Sequence, residues 1–123
     1  MNSTMNSNVD SKELAISIAN WGDERGANEV IIMEIGRVSP ITDFFVIMHA
    51  SNRTLTTALA GHIGDAVQEK FIMHSPHKEG QQQGDWLLLD FGVVVVHIFL
   101  EETRRLFDLE RLWIDAPKVP WQD

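Results

Sequence analysis

Gly84-Asp85-Trp86-Leu87-Leu88-Leu89-Asp90-Phe91-Gly92-Val93-Val94-Val95-Val96-His97-Ile98-Phe99-Leu100 is the stretch whose reading decides the fold. Apolar and β-branched residues fill both sides of Gly92, which marks a tight turn, so 85–91 and 93–99 read as two strands of an antiparallel hairpin. On the first strand Trp86, Leu88 and Asp90 share one face, and Leu87, Leu89 and Phe91 share the other. Composition alone does not say which face is core. Either the sheet is buried on both sides, or helices cover one side and leave an apolar surface carrying Trp, which is a typical protein-docking patch.

Upstream, Leu14, Ala15, Ile18 and Trp21 recur at helical spacing between Asp10 and Arg25. Asp10 and Glu13 form a capping-box-like start and Gly26 suits the stop. Glu29 to Ile35 and Asp43 to His49 are apolar, β-branched runs separated by Gly36 to Pro40, and read as two buried strands. After Ser51 or Asn52 as N-cap, Leu55, Leu59, Ile63, Val67 and Phe71 repeat every four residues, a helix of about 28 Å at 1.5 Å per residue. Gly61 and Gly64 inside it cost about 1 kcal/mol each against Ala, which close packing on a sheet would offset. His74 to Gly84, rich in Pro, Gly and Gln, reads as a loop. Glu101 to Trp113 reads as a last helix, with Leu106, Leu109, Leu112 and Trp113 inward and Glu101 and Arg105 placed for an i,i+4 pair. The second strand, long helix and third strand imply a right-handed parallel crossover. The expected fold is therefore α/β: a mixed sheet of about four strands with packed helices. It forms a single domain over 10–117, with tails at 1–9 and 118–123.

The chain has 123 residues, 44% apolar and 23% charged, an ordinary mixture for one soluble domain. No apolar run approaches the roughly 20 residues a membrane helix needs. The first nine residues hold no Lys or Arg and no apolar stretch, unlike a secretory signal or a transit peptide, which points to the cytoplasm. The absence of cysteine excludes disulfides, thiolate metal sites and cysteine nucleophiles. Eighteen acidic against ten basic residues give a net charge of −8, spread over both halves. Nucleic-acid affinity rests on Lys and Arg displacing counterions, so direct nucleic-acid recognition is not expected. A basic protein is the natural partner.

Chemistry finds little support. Asp85 and Asp90, five strand positions apart, lie about 16 Å from each other on opposite faces, too far to meet on one metal. The chain has no Asp-x-Asp. His74 and His77, with Glu79 nearby, could ligate zinc but sit in a loop without a clear third ligand. His49 and His97 read as hydrogen-bonded structural histidines. No phosphate-binding loop, dinucleotide fingerprint or nucleophile elbow occurs. No catalytic residue, metal or cofactor is expected.

Ile41-Thr42-Asp43-Phe44-Phe45-Val46-Ile47, then Ser51 and Arg53, then Gly84 to Gly92, then Val96-His97-Ile98-Phe99 with Glu102, Arg104, Leu109-Glu110-Arg111-Leu112-Trp113 and Asp115-Ala116 resemble the ribosomal silencing factor family (RsfS, also called Iojap). The resemblance spans about Leu14 to Val119. It implies an α/β domain of nucleotidyltransferase-like topology without known enzymatic activity. Such a domain binds large-subunit ribosomal protein fourteen on the face where the subunits meet, blocks joining of the small subunit, and represses translation when nutrients are scarce. On that reading Trp86 is the apolar anchor, Leu88 its neighbour, and Asp90, Glu101, Glu102 and Glu110 are candidate partners for Lys or Arg on the ribosome. A metal-dependent nucleotide-binding or nucleotidyl-transfer enzyme on a related fold is the alternative, and a homodimer is the expected alternative state of the free protein. Phe44, Phe91 and Phe107 stand where the family commonly has Tyr, and Thr54, Val93 and Ile114 where it often has Gln, Asp and Gly.

Overall fold

The computed structural model describes residues 9–122. Helix α1, Ser11–Glu24, begins where expected: the Asp10 carboxylate accepts the backbone N–H groups of Lys12 and Glu13 at 3.0 and 3.2 Å. Strands β1, Asn28–Met33, and β2, Phe44–Ala50, follow. Helix α2, Arg53–Phe71, takes Asn52 as its N-cap. Then come β3, His77–Glu79, β4, Trp86–Asp90, and β5, Val94–Leu100. Helices α3, Glu101–Phe107, and α4, Leu109–Leu112, close the chain. The expected N-terminal tail lies outside the described residues except for Val9, which packs against the core.

The strands form one mixed sheet in the order β1-β2-β5-β4-β3, with five members rather than about four. The additional strand is β3, inside the segment expected to be loop. Three residues, His77 to Glu79, pair with Asp90, Leu89 and Leu88. Gly80 permits the return, since with φ +83° a Cβ there would meet the Trp86 carbonyl oxygen. The parallel crossover joins β2 to β5, Phe44 opposite Val94 through Ala50 opposite Leu100. It does not join β2 to β4, which runs antiparallel to β5. The hairpin turns at Gly92, whose φ of +89° only glycine adopts without strain. The expected tail from Lys118 runs along β1: Val119 N–H donates to the Ile32 carbonyl at 2.9 Å, and Trp121 Nε1 donates to that of Val30 at 2.9 Å.

The two faces are filled differently. Leu14, Ile18, Leu59, Ile63 and Val67 of α1 and α2 bury Val46, Met48, Leu87, Leu89, Val96 and Ile98. On the other face Leu109 and Ala116, with Trp113, cover Met33, Phe45, Ile47 and Phe99. The single last helix expected over 101–113 is two helices. Asp108, in the left-handed region at φ +49°, breaks it, and Asp tolerates that conformation better than most residues. The break resets the helical phase. Leu109 goes inward, whereas Leu106 and Leu112, expected in the core, are 77% and 72% exposed.

Gly61 and Gly64 do not lie against the sheet backbone; a Cβ at either position meets nothing within 4 Å. Gly61→Ala and Gly64→Ala are therefore expected to stabilise the fold by about 0.5–1 kcal/mol each, read as higher urea midpoints at unchanged slope.

Candidate functional site

Pleating places Trp86, Leu88 and Asp90 together on the sheet face opposite α1 and α2, each half-buried, while Leu87 and Leu89 between them are buried. The hairpin register sets Phe99 opposite Trp86, His97 opposite Leu88 and Val95 opposite Asp90. The Trp86 ring lies 4.9 Å from that of Phe99 and 4.8 Å from that of Phe107 on α3, centre to centre. Beyond Leu88 the face opens into a hollow of about 240 Å³ lined by Ile41, Phe45, Leu88, Asp90, Val95 and His97. The residues missed in the sequence are Ile41, Phe107 and His97 in this role. For His97 a signal existed: a turn centred on Gly92 sets it opposite Leu88.

The Trp86 indole N–H donates to His97 Nδ1 at 3.1 Å. Indole nitrogen only donates, so Nδ1 is an acceptor and the neutral ring carries its proton on Nε2. Nε2 is buried and has no partner among the described residues. Burial lowers the His97 pKa from 6.5 to about 4, against a smaller opposing effect of the Asp90 charge. A second buried histidine, His49, accepts at Nδ1 from Arg104 Nη1 at 3.1 Å. Burial, then the adjacent Arg104 charge, lower its pKa.

The four expected acidic contacts occupy different environments. Asp90 Oδ1 accepts the Gly92 N–H at 2.8 Å, and no cation lies within ion-pair distance of it among the described residues. Glu101 and Glu102 are exposed on the first turn of α3. Glu101 takes Arg105 Nη2 at 2.8 Å, and this hydrogen bond holds its carboxyl below the usual range. Glu110 faces inward: its Oε2 accepts from Arg104 Nη2 at 2.9 Å and Nε at 3.2 Å. Arg104, 4% exposed, also lies 3.4 Å from the Asn28 carbonyl. This cluster pins α3 and α4 to the β1–β2 side of the sheet.

The candidate catalytic groups are scattered. Asp85 pairs with Arg53 Nη2 at 2.7 Å, away from Asp90. His77 pairs with Glu79 at 2.9 Å. No three His, Asp or Glu side chains among the described residues are arranged to hold a metal. No helix is long and apolar enough to cross a membrane among those residues.

Two predictions come from this geometry. Glu110→Ala leaves Arg104 buried without its carboxylate and is expected to cost about 3 kcal/mol in urea unfolding, whereas Glu101→Ala changes nothing measurable. A His97 pKa below its unfolded value means the unfolded chain binds the extra proton first. The His97 contribution is therefore fully present above pH 6.5 and is lost as pH falls towards 4, by roughly 3 kcal/mol in total. His97→Gln should flatten that part of the stability profile between pH 7 and 4.5; an unchanged profile contradicts the assignment.

The family described as "Ribosomal silencing factor during starvation" matches residues 8–123. A protein named ribosomal silencing factor RsfS from Halalkalibacterium halodurans is 35% identical over 111 residues, covering 90% of this chain and 94% of that one. Its namesake in Bacillus subtilis is 34% identical over 95 residues, covering 77% and 80%. A solved structure from Chromobacterium violaceum superposes with a TM-score of 0.81 at 22% identity, covering 85% and 87%, and shares the fold. With its Trp86 strand, His97 strand and Leu109 to Trp113 turn in place, this chain belongs to the ribosomal silencing factor family.

Proposed function

We propose that this protein docks through the Trp86 face onto ribosomal protein fourteen of the large ribosomal subunit in the bacterial cytoplasm. Occupying the surface where the subunits meet, it blocks joining of the small subunit and represses translation during nutrient limitation. The observation that carries this reading is the uncovered part of the sheet: an apolar face centred on Trp86 and Leu88, next to the uncompensated carboxylate of Asp90. A half-buried Trp held by neighbouring aromatic rings is the kind of anchor that dominates protein interfaces. Asp90, Glu101 and Glu102 supply negative charge beside it for a basic ribosomal partner, and the net charge of −8 steers encounter in the same sense. Glu110 contributes indirectly, by holding Arg104 and the helices that frame the face.

Occupancy suffices for this function. A standard interface takes about 800 Å² from each partner, a small share of the 7040 Å² this protein exposes, and leaves the rest of its bulk standing in the way of the other subunit. No chemical step is required, in keeping with the dispersed carboxylates and histidines.

Trp86→Ala is expected to weaken binding to isolated large subunits about 30-fold or more, corresponding to roughly 2 kcal/mol, in sedimentation titrations. Raising salt should weaken the wild type as well. A folded Trp86→Ala protein that co-sediments like the wild type contradicts the anchor.

A further inference from the structure

The hollow beside Trp86 contains an unmet hydrogen-bonding demand. His97, 5% exposed, lines it, and the indole of Trp86 occupies its Nδ1, leaving the Nε2 proton buried without an acceptor. A buried donor without a partner costs free energy that folding alone does not recover. The surrounding groups do not answer it: the Thr42 hydroxyl donates to the Gly92 carbonyl at 2.9 Å and Asp90 Oδ1 accepts the Gly92 N–H. The rest of the wall is apolar, formed by Ile41, Phe45, Leu88 and Val95. The Phe45 and His97 rings meet in a T-shaped contact, 4.6 Å between centres.

We propose that this hollow is a subsite for a basic segment of the docking partner: a backbone carbonyl accepts from His97 Nε2, and the Lys or Arg side chain beside it meets Asp90. The inference rests on the docking reading above and names the chemistry that its central hollow selects. A donor on the partner would face the His97 N–H and be rejected. A carboxylate would be repelled by Asp90 and by Glu79, which flanks the adjoining recess at Trp86 and Leu88. Asp90 lies diagonally across the hairpin from His97, about 7–8 Å away, within reach of an extended basic side chain whose own carbonyl sits at the imidazole. Because burial keeps His97 neutral at pH 7, the donor is a tautomer fixed by Trp86 and not a titrating cation.

The test is a binding titration with purified large subunits, each variant first checked for folding by urea denaturation. His97→Gln keeps an acceptor for Trp86 and a donor for the hollow, and should bind within about threefold of wild type. His97→Met keeps bulk but no donor, and should bind at least about tenfold more weakly. Ile41→Trp, at an exposed rim position, plugs the hollow without touching His97 and should also lose at least about tenfold; it decides the matter if His97→Met fails to fold. Asp90→Asn should reduce the salt dependence of binding. Wild-type affinity of both His97→Met and Ile41→Trp, while Trp86→Ala releases the subunit, overturns the subsite and leaves the docking face standing. Wild-type affinity of Trp86→Ala as well removes the docking reading and the subsite with it. Altered self-association of the free protein with subunit binding unchanged assigns the hollow to a second copy and likewise overturns the proposal.

Discussion

A sheet that is apolar on both faces has to be covered twice, and this chain has enough helix for one face and part of the other. β2 is buried along its whole length and β5 along nearly all of it, so their parallel pairing is the spine to which everything else attaches. Helices α1 and α2 close one side over β1, β2, β5 and β4. On the second side the short α3 and α4 and the residues after them reach over Met33, Phe45, Ile47 and Phe99 and, through Phe107, one side of Trp86, and they are held there by a buried charge. Burying Arg104 is unfavourable by itself; Glu110, His49 and the Asn28 carbonyl offset it with directed contacts, which makes the position of these helices specific. What they leave open is the remainder of that face, from the free side of Trp86 to Leu88 and Asp90.

That arrangement links packing to function. The proposed docking surface is built on a central strand pair and is stiff: Trp86 is held between Phe99, Phe107 and the His97 nitrogen before any partner arrives. Less side-chain freedom is then lost on binding than with an anchor on a loop. In the proposed mode, the carboxylates around the apolar centre complement a basic ribosomal surface, and blocking by occupancy needs affinity and position only. Of the residues weighed for chemistry, Asp85 pairs with Arg53 and His77 with Glu79.

Much of this was legible in the sequence, where local rules act alone. Asp10 and Asn52 cap their helices as their side-chain oxygens predict, and Gly92 turns the hairpin that period-two alternation on either side demands. The failures occur where a long-range contact overrides the local pattern. His77 to Glu79 look like loop because their order comes from pairing with β4 and from a glycine that lets the chain pass the Trp86 carbonyl. Leu106 and Leu112 look like core because their spacing is helical, and only the left-handed turn at Asp108, fixed by the Arg104 cluster, rotates them outward. In the site, Trp86, Leu88 and Asp90 fall together by strand alternation. Glu110 reads as an outward contact because the sequence does not show that Arg104 is buried beneath it. His97 reads as a structural histidine because its place in the site depends on the hairpin register and on which nitrogen Trp86 engages.

The most direct measurement is subunit joining itself. Isolated large subunits are incubated with the protein, small subunits are added, and the mixture is resolved on a sucrose gradient. The account predicts that the protein travels with the large subunit and that the joined particle is lost in proportion to occupancy. A joined particle that forms in full while the protein remains bound to the large subunit would contradict it.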